Sequence, residues 1–189
     1  MERYASIIIV LALCSSLALA INQQTGRERL DRTEQNLKPD VPHILCLDER
    51  FATAGQPKDE AFGKLAASGF RSVLSLRTAS EGIDLDKERS LVEKSGMRYL
   101  NIPVVSSAPK PGQVDDFFKV VKDQNNQPML IHCGSANRVG AFWMIYRVIE
   151  QGWPEDKALE EATKIGLTSP GLKTFAQNYI AEHKPKRGN

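Results

Sequence analysis

Histidine and cysteine, the residues most often recruited for metal binding and disulfide frameworks, are scarce, with three of each in 189 residues. His43, His132 and His183 lie far apart, and Cys14, Cys46 and Cys133 form no CxxC pair. That excludes the usual zinc spacings and a disulfide-stapled miniprotein; no metal and no cofactor is expected. Strong charge is lacking too. The formal net charge is +2, too weak a balance to argue for nucleic acid or an anionic membrane surface. No short repeat or low-complexity block is present.

One long apolar run stands out, at the start. "MERYASIIIVLALCSSLALA" has a basic residue, an apolar stretch and small residues ending at Ala20. This is the layout of a secretory signal peptide over residues 1–20, and it predicts a secreted or periplasmic product, with an uncleaved membrane anchor as the alternative for a run of this length. Once the leader is removed, no membrane association is expected. Residues 21–40 are polar with sparse apolar positions and read as a flexible N-terminal arm. A single domain is expected over 41–183, followed by a basic tail over 184–189. Cys46 and Cys133 would both be exported, so a pairing between them stays open, with Cys46 reading as a core residue of the first strand.

Within the domain, extended and helical patterns alternate. Residues 43–57 read as one strand or a short hairpin. Strands are also expected at 71–77, 98–105 and 128–133. Helical spacing follows each, over the segments opening at Pro57, Ile83, Gln113 and Arg138, and two more helices begin near Pro154 and Pro170. This is an α/β pattern. It predicts a three-layer sandwich, a mainly parallel central sheet with helices on both faces. Ligands then bind beyond the carboxyl ends of the strands.

The most apolar strand, "PMLIHC", ends on Cys133. Four small or polar residues, Gly134, Ser135, Ala136 and Asn137, lead to Arg138 at the mouth of a helix. A cysteine thiolate is stabilised by a helix N-terminus, a cation and converging backbone N–H groups, and this segment offers all three. The arginine adds a planar fork suited to a tetrahedral oxyanion. Each piece alone is ordinary core or surface chemistry; together they predict an anion-binding cysteine site.

"HCGSANRVG" resembles the signature loop of cysteine-dependent protein tyrosine and dual-specificity phosphatases. Residues 52–82, "ATAGQPKDEAFGKLAASGFRSVLSLRTASEG", resemble the opening of the bacterial beta-lactamase-hydrolase-like, phosphatase-like family, and the likeness extends over about 41–180. The resemblance implies a protein tyrosine phosphatase-like fold. It implies Cys133 as nucleophile, Arg138 as oxyanion clamp, His132 as a tuning residue, and the amides of Gly134, Ser135, Ala136 and Asn137 as a phosphate cradle. Arg77 and Glu81 match that family's LR…E segment and imply a pairing near the site. The expected partner is a phosphorylated small molecule or protein.

Three departures qualify that expectation. The Cys-to-Arg loop is one residue shorter than in such phosphatases and equals that of rhodanese sulfurtransferases. The segment "VSSAPKPG", where these phosphatases carry an acidic proton donor, has no carboxylate; Asp115 or Asp116 on the next helix is the nearest replacement by sequence. Val139 stands where a hydroxyl residue usually follows the arginine. Two alternatives therefore remain: a sulfurtransferase charged by a sulfane-sulfur donor, with a persulfide on Cys133, and an anion-binding module of little catalytic power.

Overall fold

The computed structural model describes residues 23–184, so the leader expected over 1–20 and all but the first residue of the basic tail lie outside the described residues. The polar arm does not stay loose. Residues 23–37 form a helix, α1. Its sparse apolar residues Leu30 and Leu37 are seven apart and share one face. Leu37 and the following Val41 are fully buried, and Leu30 packs against the same cluster. A loose arm was expected because so few apolar side chains seemed too little to dock a helix.

Strands β1 (Leu45–Cys46) and β2 (Phe51–Ala54) form a hairpin. Its turn is closed by Asp48, whose Oδ1 accepts the amides of Arg50 and Phe51 at 2.8 and 3.0 Å. Then follow α2 (Ala61–Ala67), β3 (Ser72–Ser75), α3 (Leu85–Lys94), β4 (Arg98–Asn101), α4 (Pro111–Lys122) and β5 (Met129–His132). Helices α5 (Asn137–Ile149), α6 (Glu155–Ile165) and α7 (Pro170–His183) complete the domain. The sheet order is β1-β2-β5-β3-β4; β1 is antiparallel and the other four strands are parallel. This is the expected α/β sandwich.

β5 is the middle strand, which explains its unbroken apolar run: it is covered on both faces. One face meets α4 to α7 through Phe117, Phe142 and Trp143, and the other meets α1 to α3 through Leu37, Phe62 and Val92. α5 is buried almost all round, with α6 and α7 packed along it. Edge strand β1 is shielded: Glu34 of α1 accepts the amide of Cys46 at 2.6 Å, satisfying a donor that an open edge would expose.

The two cysteines do not meet. Cys46 lies level with Ala52, which lies level with Leu130, three residues before Cys133. The cysteines are thus two strand spacings apart, about 9–10 Å, before that offset is added. A disulfide needs Cα atoms within about 7 Å, and both thiols are free and buried. Burial, followed by the charges of Glu34 and Asp31, pushes the Cys46 thiol up to about 12.

Candidate active site

The site lies at the carboxyl end of β5. Cys133 leaves the strand 1% exposed, and the loop turns at once. Ala136 adopts φ 62°, a left-handed conformation that costs a side chain some strain and ends the loop at the first turn of α5. α5 has no side-chain cap, so its first N–H groups remain available. None of the amides of Gly134, Ser135, Ala136 and Asn137 donates to another group among the described residues. Such converging free donors at a helix N-terminus suit an anion.

Asn137 also fixes the loop through its side chain. Its Oδ1 accepts the amides of Thr168 and Ser169 at 2.7 and 2.8 Å, tying the loop to the start of α7. Gly140, one turn further, lets α5 approach α6: a Cβ there would stand 2.8 Å from the Ala162 carbonyl oxygen.

Arg138 is 4% exposed and fully committed in direction. Its Nη1 donates to the carbonyls of Leu76 and Val104 at 2.9 and 2.8 Å and to Glu81 Oε1 at 2.6 Å, and Nη2 donates to Glu81 Oε2 at 2.7 Å. Burial works against its charge, but the Glu81 hydrogen bond and the adjacent Cys133 more than compensate and raise its pKa. Glu81 is aimed by its own turn, where the Thr78 amide donates to Oε1 at 2.8 Å. Burial would raise the Glu81 carboxyl; Arg138, the Thr78 amide and the charge of Arg77 hold it down to about 2.

Arg77 joins the same group, as the LR…E segment implied. Its Nε lies 2.6 Å from Glu81 Oε2, although the angle is too poor for a hydrogen bond and Nε has no such partner. Its Nη1 donates to Gln56 Oε1 at 2.8 Å. Gln56 in turn donates to Glu88 Oε2 at 2.5 Å, and Tyr99 donates to Glu88 Oε1 at 2.8 Å.

His132, fully buried next to Cys133, faces Glu88 with Nε2 3.4 Å from Oε1. The contact lies at the edge of hydrogen-bond reach, and neither ring nitrogen has a partner in full hydrogen-bond geometry. Burial raises the Glu88 carboxyl, but His132, Gln56 and Tyr99 outweigh it and leave the pKa at about 2.

Gln56 and Glu88 were missed as site residues. Gln56 figured only within the family-like stretch 52–82. Glu88 sits in the charged run "DKERSLVEK" and looked solvated, but it is 4% exposed. The available signal was its spacing, three after Leu85 and four before Val92, on the inner stripe of α3.

Asp115 and Asp116 are placed elsewhere. Asp115 accepts from Tyr179 at 3.2 Å. Tyr179 lies nine residues along α7 from its Pro170 start, about 14 Å from the end that Asn137 holds. Asp116 is 60% exposed and pairs with Lys119 at 3.1 Å. Both carboxylates follow the solvated face of α4, so helix geometry turns them from the loop they neighbour in sequence.

The parallel sheet ending on a buried cysteine, the small-residue loop and the pinned arginine place the chain in the tyrosine and dual-specificity phosphatase-like class. The chain belongs, more narrowly, to the family described as DSP-PTPase phosphatase fused to NAD+ kinase, whose model matches residues 40–181. A beta-lactamase hydrolase-like protein of Xylella fastidiosa is 26% identical over 117 residues, 60% of this chain and 27% of that protein. The dual specificity protein phosphatase TpbA of Pseudomonas aeruginosa is 30% identical over 97 residues, 50% of this chain and 44% of that protein. The chain thus matches less than half the length of these curated relatives. Among solved structures, that of a DUF442 protein from Shewanella putrefaciens aligns with TM-score 0.67 at 23% identity, over 78% of this chain and 97% of that one. TpbA in complex with pTyr aligns with TM-score 0.60 at 20% identity, over 75% and 85%. These two likenesses concern the fold.

Proposed function

We propose that the protein hydrolyses phosphate monoesters through a thiophosphate on Cys133. The Cys133 sulfur attacks phosphorus, the S–P bond forms and the ester oxygen departs. Water then cleaves the S–P bond and releases inorganic phosphate. The loop amides and the α5 N-terminus hold the equatorial oxygens, and Arg138 stabilises the charge that builds there. The observation that carries this reading is the fixed Arg138: a buried guanidinium locked by Glu81 and two carbonyls, closing a loop of free amide donors behind a cysteine. TpbA, the relative whose structure contains pTyr, supports a phosphorylated substrate. The apolar leader supports export as part of the same proposal.

The proton donor is the weak point for alkyl esters. Among the described residues the stretch after β4, from Ile102 to Lys110, carries no carboxylate. Glu81 and Glu88 are held ionised at neutral pH and cannot donate a proton. A positioned acid is worth roughly 10²–10⁴-fold, so aryl esters, which leave without one, are the favoured monoesters. The short loop and the missing acid equally favour a second reading, sulfur transfer through a Cys133 persulfide, because thiolate attack on sulfane sulfur needs no acid.

Aryl phosphate hydrolysis and thiosulfate-to-cyanide sulfur transfer, each measured for wild type and Cys133→Ser, separate the two. Phosphate release lost with Cys133 supports the first reading. Phosphate release untouched by the substitution overturns it, and a Cys133-dependent thiocyanate yield without phosphate release puts the second in its place.

A further inference from the structure

The site holds two arginines where a single phosphoryl group needs one. A Cβ built on Gly134 would stand 3.7 Å from Arg138 Nη2 and 3.8 Å from both Cζ and Nη1 of Arg77. Both guanidinium groups therefore border the first residue of the loop. They share one counter-ion: Glu81 Oε2 is 2.7 Å from Arg138 Nη2 and 2.6 Å from Arg77 Nε. Two cations and one carboxylate leave one positive charge to set against the Cys133 thiolate, where a lone arginine paired with Glu81 would leave none. Arg138 is held by four anchoring hydrogen bonds through Nη1 and Nη2, whereas Arg77 has one firm hydrogen bond, to the neutral Gln56. Its side chain is 13% exposed against 5% for Arg138, so it is the less enclosed of the two.

We infer that Arg77 binds a second anionic group of the substrate, and that the site is suited to diphosphates, cleaving the terminal phosphoryl group of a phosphoanhydride. This rests on Cys133 acting as the phosphoryl acceptor. It also accounts for the absent proton donor. In the first step the Cys133 thiolate forms the S–P bond to the terminal phosphorus, and the bridging P–O bond breaks with its electron pair on oxygen. The leaving group is a phosphate monoester, stable as an anion at neutral pH, and needs no proton. Arg77 neutralises the charge it gains. In the second step water attacks the thiophosphate, the S–P bond breaks back to thiolate, and both protons of the water leave on dihydrogen phosphate. Where an alkoxide would wait for an acid, a phosphate leaves against an arginine.

The test compares ethyl diphosphate, ethyl phosphate and 4-nitrophenyl phosphate with wild type, Arg77→Gln, Arg77→Lys and Cys133→Ser. For the wild type, kcat/KM on the diphosphate should exceed that on ethyl phosphate by about 100-fold or more, the scale of a missing acid. Arg77→Gln also loosens Glu81 and lowers aryl phosphate turnover. Its loss on the diphosphate should be about tenfold greater, the worth of one charge-assisted contact, and Arg77→Lys should recover part of that difference. Binding to Cys133→Ser gives a second readout independent of turnover. Inorganic pyrophosphate should bind more tightly than phosphate, and adding Arg77→Gln should remove that advantage. Equal losses on both substrates, with no pyrophosphate advantage, would make Arg77 a structural support and overturn the inference while leaving the Cys133 reading intact. Absence of any Cys133-dependent phosphate release overturns both.

Discussion

Arg138 and Glu81, 57 positions apart in the chain, form a two-pronged ion pair, with Nη1–Oε1 at 2.6 Å and Nη2–Oε2 at 2.7 Å. The pair sets the plane of the guanidinium, and with it the direction in which the remaining N–H groups meet an oxyanion. Glu81→Gln keeps the shape but removes the negative charge and leaves one acceptor where there were two. Its effect should fall on turnover: a clamp that swings by about 1 Å costs on the order of 100-fold. We expect kcat/KM on an aryl phosphate to fall about 10- to 100-fold with little change in thermal stability, because the Glu81 side chain is 27% exposed and solvent screens its pair. An unchanged kcat/KM would show that the two carbonyls suffice to hold Arg138.

Glu88 acts through depth rather than direction. It is 4% exposed and faces His132, Gln56 and Tyr99. Removing it leaves the buried His132 and Tyr99 and the half-buried Gln56 without their shared neighbour, so Glu88→Ala should cost about 3 kcal/mol of stability and Glu88→Gln about half as much. The pH dependence has a definite sign. The folded-state pKa of about 2 lies below the unfolded value of about 4.3, so this stabilisation is present above pH ~4.3 and lost as pH falls toward 2. Urea unfolding at pH 7 and pH 3 should show a larger acid-induced loss in wild type than in Glu88→Gln. Equal losses in both would remove Glu88 from the account.

The chemistry around Cys133 was legible because it is local. Strand, loop, arginine and helix start occupy ten consecutive residues, and the unbroken apolar run of β5 marks the central strand. The supports were not legible, because each reaches across the fold. Glu88 meets His132 over 44 positions, and Gln56 bridges Arg77 and Glu88. Nothing in a charged helical run reveals which glutamate turns inward until the partner strand is placed. The same reason misjudged residues 23–37. Two leucines seemed too few to dock a helix, but the cluster of Val41, Phe62 and Leu65 was waiting for them.

Asp115 illustrates the opposite case, a residue near in sequence that folding carries away. With its Oδ1 on Tyr179, it cannot protonate a leaving group at Cys133. Asp115→Asn should therefore change aryl and alkyl phosphate turnover by less than about threefold, against the 10²-fold or more expected of a positioned acid. A selective loss on alkyl phosphates, with a basic limb lost from the kcat profile, would restore Asp115 as the donor through a movement of α4.

Gly140 tests whether the loop depends on the helices behind it. A Cβ there meets the Ala162 carbonyl oxygen at 2.8 Å and Leu167 Cβ at 2.9 Å, closer than packed atoms tolerate. The obstacle is backbone of α6 and its following turn, not the end of a flexible side chain, so α5 itself must shift. Gly140→Ala should cost about 1–3 kcal/mol of stability, read as a lower Tm. The same shift moves the loop, since Gly140 donates its amide to Ala136 at 2.9 Å and Ala136 closes the cradle. Oxyanion affinity of the folded variant, measured at a temperature well below its Tm, should therefore fall along with its stability. A variant with lowered Tm but unchanged phosphate affinity would show that the cradle keeps its shape independently of the α5–α6 contact.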